Sequence, residues 1–224
     1  MFNFDIVKEH IPDKTFRVSK IAADFDIDTS KITEHFKGSI YTPDKWNIGV
    51  IVGASGTGKT TIAKSIFGDN CINNNEYSKN SVIDDMPNDT IENITRMFYA
   101  VGFGSVPNWI KPYSILSNGE KMRVDLARAL LQNNLIVFDE FTSVVDRNVA
   151  QTACIAINNA IKNTEKQFVA ISCHYDVLEW LQPDWVFDTN TMQSFFGKSL
   201  DQRKYLKSNV VSEANGQSLN DIII

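Results

Sequence analysis

Apolar residues fall along this chain in two patterns: short unbroken runs, and longer stretches with apolar positions three or four apart. Ile48-Gly-Val-Ile-Val52, Leu135-Ile-Val-Phe138 and Phe168-Val-Ala-Ile171 are the unbroken runs, the pattern of strands buried on both faces of a sheet. Thr60–Phe67, Thr90–Tyr99, Glu120–Leu131 and Arg147–Lys162 read as helices. Of these, Glu120–Leu131 sets apolar Met122, Val124, Leu126 and Ala127 against basic Lys121, Arg123 and Arg128. Strand and helix alternate, which predicts an α/β fold whose core is a mainly parallel sheet with helices on both faces. Phe16–Ile27, with spaced Phe16, Val18, Ile21, Phe25 and Ile27, reads as one or two edge strands. Tyr41–Asp44 reads as a turn, and Ser81–Ile83 as a short strand stopped by Asp84, Asp85 and Pro87. Asn-rich Asp69–Asn80 reads as a loop, and Gly102–Pro112 is broken by glycines and prolines. Trp180, Trp185 and Phe187 are expected to pack the last strand on the core.

Composition narrows the class. The 224 residues are 43% hydrophobic and 22% charged, the balance of a core-forming domain and not of a disordered chain. No apolar run approaches the roughly 18–20 residues of a membrane span. Asp5, Lys8 and Glu9 interrupt the start where a secretory signal needs unbroken apolar sequence, so a cytoplasmic location is expected. A formal charge of −5 gives no global positive field toward nucleic acid or anionic lipid. Cys71, Cys154 and Cys173 show no CxxC spacing and read as reduced thiols. His10, His35 and His174 form no metal-ligand pattern.

Two motifs carry phosphate chemistry. Gly53, Ala54, Ser55, Gly56, Thr57, Gly58, Lys59 and Thr60 fit GxxxxGK[ST] between an expected strand and an expected helix. There the glycines let backbone N–H groups wrap an anion at a helix N-terminus. Lys59 is expected to reach the β- and γ-phosphates and Thr60 to offer its hydroxyl to Mg²⁺, with Thr61 completing the nucleotide-binding set. The second motif, Leu135-Ile-Val-Phe-Asp-Glu140, ends a buried strand in two carboxylates. In a parallel sheet this sets Asp139 beside the phosphate loop as a Mg²⁺ partner and Glu140 as the group that orients or deprotonates water.

Leu116-Ser-Asn-Gly-Glu120 opens the helix ahead of the Asp139–Glu140 strand. Here the chain resembles the ABC-class ATPases, whose signature Leu-Ser-Gly-Gly-Gln lies in the same order between the two nucleotide motifs. The resemblance implies an ABC-type nucleotide-binding domain of the P-loop NTPase class, with an antiparallel edge sheet and a short helical subdomain. It further implies a head-to-tail homodimer in which Ser117, Asn118, Gly119 and Glu120 of one copy close on ATP held by the other. Ser143-Val-Val-Asp146 resembles the D-loop, with Asp146 acting across the dimer. His174 falls at the position of the switch histidine, which joins Glu140 and Lys59 as catalytic groups. ATP and Mg²⁺ are the implied cofactors.

The chain also departs from the transporter-type members. Thr61–Leu116 holds no glutamine; Asp84, or its neighbour Asp85, is the nearest substitute as a metal-side ligand. The helical subdomain, 86–115, is short, within an ATPase domain expected over 1–195 and followed by a loosely held tail, 196–224. Asp84-Asp-Met-Pro87, Val101–Trp109 and His174–Phe187 resemble small soluble phage- and mobile-element-type ABC ATPases, relatives of those fused to an acetyltransferase-like domain. These features favour a soluble ATPase switch acting on a protein or nucleic-acid partner over the ATP-binding subunit of a membrane transporter. Phe16, Phe25, Phe36 and Tyr41 are the candidates for stacking adenine, with Phe25 the first choice.

Overall fold

The structure, a computed structural model, describes residues 1–29, 31–68, 71–72, 76–162 and 164–196. Strands β1 (Phe2–His10) and β2 (Ile32–Ile40) flank helix α1 (Phe16–Asp24) and pair antiparallel, with Ile6 opposite Phe36 and Lys8 opposite Glu34. Then come β3 (Ile48–Val52), α2 (Lys59–Phe67), β4 (Cys71–Ile72), α3 (Ile91–Ala100), α4 (Val106–Trp109), α5 (Asn118–Gln132) and β5 (Leu135–Phe138). The chain continues through α6 (Arg147–Ile161), β6 (Gln167–Ser172), α7 (Val177–Leu181), β7 (Trp185–Asp188) and β8 (Gln193–Phe196). The main sheet has the order β4-β5-β6-β3-β7-β8, parallel throughout except for β8, which runs antiparallel on β7.

The pleat of the central strands divides the interior in two. Ile48, Val50, Val52, Ile136, Phe138, Phe168, Ala170 and Val186 face one side, where α3, α5, α6 and α7 pack. Their alternates Ile51, Val137, Val169, Ile171, Trp185 and Phe187 face the other, where α2 packs with Phe4 and Ile40 of the two-stranded sheet. Unbroken apolar runs are therefore required, since both faces are covered. Gly49 is opposite Trp185 in register, and a Cβ there would lie 2.1 Å from the indole Cε2; the glycine makes room for the ring.

Phe16–Ile27, expected as edge strand, is instead α1 and its exit. Thr15 caps it, its Oγ1 accepting from Val18 N at 3.3 Å. Val18, Ile21, Ala22 and Phe25 also fit a helical repeat, and Arg, Lys and Ala favour it. Ser81–Ile83, expected as a strand, is a turn. Asp85 accepts backbone N–H bonds from Ser78 and Lys79 at 3.1–3.2 Å, while Val82 and Ile83 donate to the carbonyls of Lys111 and Trp109. Side-chain capping of this kind competes with ladder formation. The Asn-rich segment Asp69–Asn80 contains the two-residue β4. The expected tail beyond Phe196 lies outside the described residues.

The short helical stretch has an aromatic interior. Phe98 packs edge-on against Phe103 with centroids 5.2 Å apart and lies 5.4 Å from Trp109. Trp109 Nε1 donates to Phe103 O at 2.8 Å, so the buried indole leaves no orphan donor. These rings belong to the same core as α5 and α6.

Candidate functional site

Because β3, β5, β6 and β7 are adjacent and parallel, their carboxyl ends open on one edge of the sheet, where ligands of open α/β sheets bind. Four short segments meet there: the glycine-rich loop after β3, Asp139-Glu140 after β5, Cys173-His174 after β6 and Thr189-Asn190 after β7.

The loop curls tightly before α2. Gly58 caps the helix at φ +83°, and a Cβ on it would meet Phe36 Cε1 at 2.4 Å; both the conformation and the ring above it select glycine. Phe36, one candidate base-stacking ring, is thereby committed to the loop and the core. Lys59 Nζ spans the loop, donating to Gly53 O at 2.8 Å and Ala54 O at 2.7 Å. Burial lowers the Lys59 pKa, opposed by nearby Cys173, Glu140 and Asp139. Thr60 Oγ1 donates to Asp139 Oδ1 at 3.1 Å, joining loop and acidic strand end. Asp139 is buried and also accepts the Glu140 N–H at 2.9 Å. Glu140 is exposed and sits at φ +54°, which turns the chain sharply after β5.

His174 is half-buried at the end of β6. Burial, and then the Arg147 guanidinium, hold its pKa below the ordinary imidazole value, against the charges of Asp176 and Glu140. The ring is therefore neutral at pH 7 and keeps one N–H donor. Arg147 braces this region: its Nε donates to Asp176 Oδ2 at 2.8 Å, its Nη2 pairs with Asp176 Oδ1, and its Cζ lies 5.1 Å from the Trp180 ring centroid.

Ser117 caps α5 within a reciprocal capping box. Ser117 N and Oγ donate to Glu120 Oε2 at 2.9 and 2.8 Å, and Glu120 N donates back to Ser117 Oγ at 3.4 Å. Hydrogen bonding from Ser117 lowers the Glu120 pKa, so a carboxylate already occupies this helix N-terminus. Asn108 Nδ2 also donates to Glu120. Asp146 caps α6, accepting from Asn148 N and Val149 N at 3.0 Å each. Asp84 accepts from Ser81 Oγ, and its neighbour Asp85 serves the turn described above. Phe16 and Phe25 are 83% and 71% exposed on and after α1.

Sequence reasoning missed the segment after β7. Thr189 Oγ1 meets Thr57 Oγ1 at 2.5 Å, and Asn190 Oδ1 accepts from Ala54 N at 3.1 Å, so this segment clamps the loop from the side. Behind it, Tyr175 Oη donates to buried Asp188 at 3.0 Å and receives Asn190 Nδ2 at 3.0 Å. Burial raises the Asp188 pKa. The polar run Asp188-Thr-Asn190 directly after an apolar strand was the available signal. A second group, also missed, anchors α5. Tyr77 and Tyr113 stack with centroids 3.8 Å apart, and their hydroxyls donate to the two carboxylate oxygens of Asp125 at 2.7 Å each. Arg128 and Lys121 cover the outer faces of the stack, 4.9 and 5.6 Å from the ring centroids.

No protein-family model matches the chain, and no curated protein does. Solved structures do. A bacterial Atm1-family ABC exporter with ATP bound is similar with a TM-score of 0.57 and 15% identity, over 84% of this chain and 39% of the exporter chain. The ATP-binding cassette MJ0796, in a dimeric post-hydrolysis state bound to ADP and Pi, has a TM-score of 0.60 and 11% identity, over 84% and 93% of the two chains. A further dimeric structure of MJ0796, described as a bacterial ABC transporter cassette, gives 0.60 and 12% over the same shares. The fold is that of an ABC-type nucleotide-binding cassette.

Proposed function

We propose that the chain binds ATP with Mg²⁺ and hydrolyses it, two copies closing head to tail around the nucleotide to switch a protein or nucleic-acid partner. The observation that carries this reading is the 3.1 Å bond from Thr60 to Asp139, which unites the phosphate loop with the strand that ends in Glu140. These two oxygens suit Mg²⁺, a hard cation that takes one or two protein oxygens and otherwise nucleotide phosphate and water. Among the described residues no group of three or more His, Cys, Asp or Glu side chains could hold a metal alone, consistent with an ion that arrives with its nucleotide. When bound, Mg²⁺ would neutralise charge on the β- and γ-phosphates.

The protein's own groups divide the remaining work. Backbone N–H groups of the loop and of the first turn of α2 bind phosphate, and Lys59 moves its ammonium from the Gly53 and Ala54 carbonyls to the β- and γ-phosphates. Glu140 aligns the attacking water and takes its proton. Neutral His174 donates its N–H to the γ-phosphate. Ser117 and Gly119 of the second copy close the site, with Asp146 at the seam, and closure excludes water from all but the reacting position. Asp84 is the candidate metal-side residue in place of glutamine. In this reading 1–195 is the ATPase unit, with 86–115 its helical insertion and 196–224 a tail, and the chain resembles small phage- and mobile-element-type ABC ATPases.

The likeness to an exporter and a transporter cassette favours a second reading, an ATP-binding subunit for separately encoded membrane subunits. No helix among the described residues is long and apolar enough to cross a membrane. Phosphate release from Mg-ATP by purified protein tests the activity. Turnover in the wild type that is abolished by Glu140→Gln, with ATP binding retained, supports the reading; equal turnover in the two proteins overturns it. Turnover stimulated by membrane subunits and not by nucleic acid or a soluble partner would select the transporter role.

A further inference from the structure

We propose that Lys8, on β1, is a nucleotide-contacting residue that binds the α-phosphate end of the nucleotide. Lys8 Nζ donates to Thr61 Oγ1 at 2.5 Å across 53 residues of sequence. The pleat explains how it arrives there. Phe2, Phe4, Ile6 and Lys8 share one face of β1, and the first three pack on the core that includes α2. Phe36, opposite Ile6, covers Gly58 of the loop, so the next position along this wall meets the first turn of α2.

Two features mark Lys8 as more than a surface lysine. Its register partner is Glu34, yet among the described residues Lys8 forms no ion pair with it or with any other carboxylate. Instead its ammonium lies at the N-terminus of α2, the positive end of the helix dipole, where a cation is disfavoured unless an anion joins it. Lys59 has Asp139 and Glu140 nearby; among the described residues Lys8 donates to the Thr61 hydroxyl and pairs with no carboxylate. Thr60 faces Asp139, and Thr61 follows it about 100° further round the helix. The two-stranded sheet that carries Lys8 meets the main sheet at its β8 edge, Tyr41 N donating to Ser194 Oγ at 3.0 Å, across β3 from the β5 and β6 ends that carry Glu140 and His174. A triphosphate with its γ-phosphate at those two residues would run back along the loop toward the first turn of α2, where Lys8 donates to Thr61. This inference rests on the nucleotide reading above. A contact to phosphate carries no information about the base, so Lys8 supports ATP and GTP alike.

Equilibrium dialysis of Mg-ATP and Mg-GTP against wild type, Lys8→Ala, Lys8→Arg and Lys59→Ala tests the assignment. Lys8→Ala is expected to weaken both nucleotides by about tenfold, the worth of one charge-assisted hydrogen bond, and to make binding less sensitive to salt, while Lys8→Arg stays near wild type. Binding by Lys8→Ala within twofold of wild type overturns the proposal while leaving the nucleotide site intact. A wild type that binds neither nucleotide overturns both. An unchanged melting temperature of nucleotide-free Lys8→Ala confirms its fold; if that variant does not fold, Lys8→Met, which keeps the stem, takes its place under the same criteria.

Discussion

Replacing Asp125 by alanine removes the acceptor that holds the Tyr77–Tyr113 stack on α5. Two phenol hydroxyls donate to its carboxylate at 2.7 Å each, and burial together with Asp125 raises both phenol pKa values above the ordinary range, so both rings stay protonated donors. Hydrogen bonds to a charged acceptor contribute about 1.5–3 kcal/mol each. Taking the low end for these partly buried rings, Asp125→Ala is expected to cost about 3 kcal/mol. Asp125→Asn keeps one acceptor oxygen and should cost about half as much, roughly 1.5 kcal/mol. Tyr77→Phe and Tyr113→Phe, which keep the stack and lose one bond each, should cost about 1.5 kcal/mol apiece. Urea denaturation followed by circular dichroism measures the series. For a domain of this size Asp125→Ala should also lower the melting temperature by about 6–12 °C. A loss below about 1 kcal/mol for Asp125→Ala would refute the reasoning, because the stack would then hold itself.

Glu120→Gln keeps the shape of the capping box and removes its charge from the helix N-terminus; unfolding should become easier by about 0.5–1 kcal/mol. If a γ-phosphate docks there, Mg-ATP-dependent dimerisation should tighten by roughly fivefold as about 1 kcal/mol of like-charge repulsion disappears, measured by sedimentation; weaker association would count against that docking. His174 has a folded-state pKa below its unfolded value of about 6.5, so in the window between the two the unfolded chain binds the extra proton. The His174 contribution to stability is thus complete above that window and declines as pH falls through it. Urea midpoints measured from pH 8 down to about 5 should show a shallower acid decline in His174→Asn than in wild type, and parallel curves would contradict this. Gly49→Val, which would drive a Cβ to 2.1 Å from the Trp185 ring, should destabilise by about 3 kcal/mol or more and change the near-ultraviolet tryptophan signal.

The readable parts of the chain are those whose chemistry is local. Gly53–Thr60 declares itself because one short segment carries the turn glycines, the lysine and the hydroxyl. Leu135–Glu140 does so because a strand buried on both faces must be continuously apolar until its polar end. Helix α1 was misread because Phe16, Val18, Ile21 and Phe25 suit either period, and only Thr15 as cap and the intervening Arg, Lys and Ala decide it. Strand β1 escaped because its alternation covers only Phe2, Phe4 and Ile6, and its partner begins beyond an intervening helix. The clamp of Thr189 and Asn190 depends on β7 lying beside β3, which no spacing between Val52 and Trp185 encodes. Tyr77 and Tyr113 likewise stack through a fold that brings distant turns onto one face of α5.

The central claim is that ATP is held between two copies, with Glu140 needed for chemistry and Ser117 for closure. Light scattering on Glu140→Gln protein with and without Mg-ATP tests it most directly. A shift from about 25 kDa to twice that mass on adding Mg-ATP, abolished by Ser117→Arg, is the predicted result. A protein that binds Mg-ATP yet keeps the monomer mass at every concentration would contradict it.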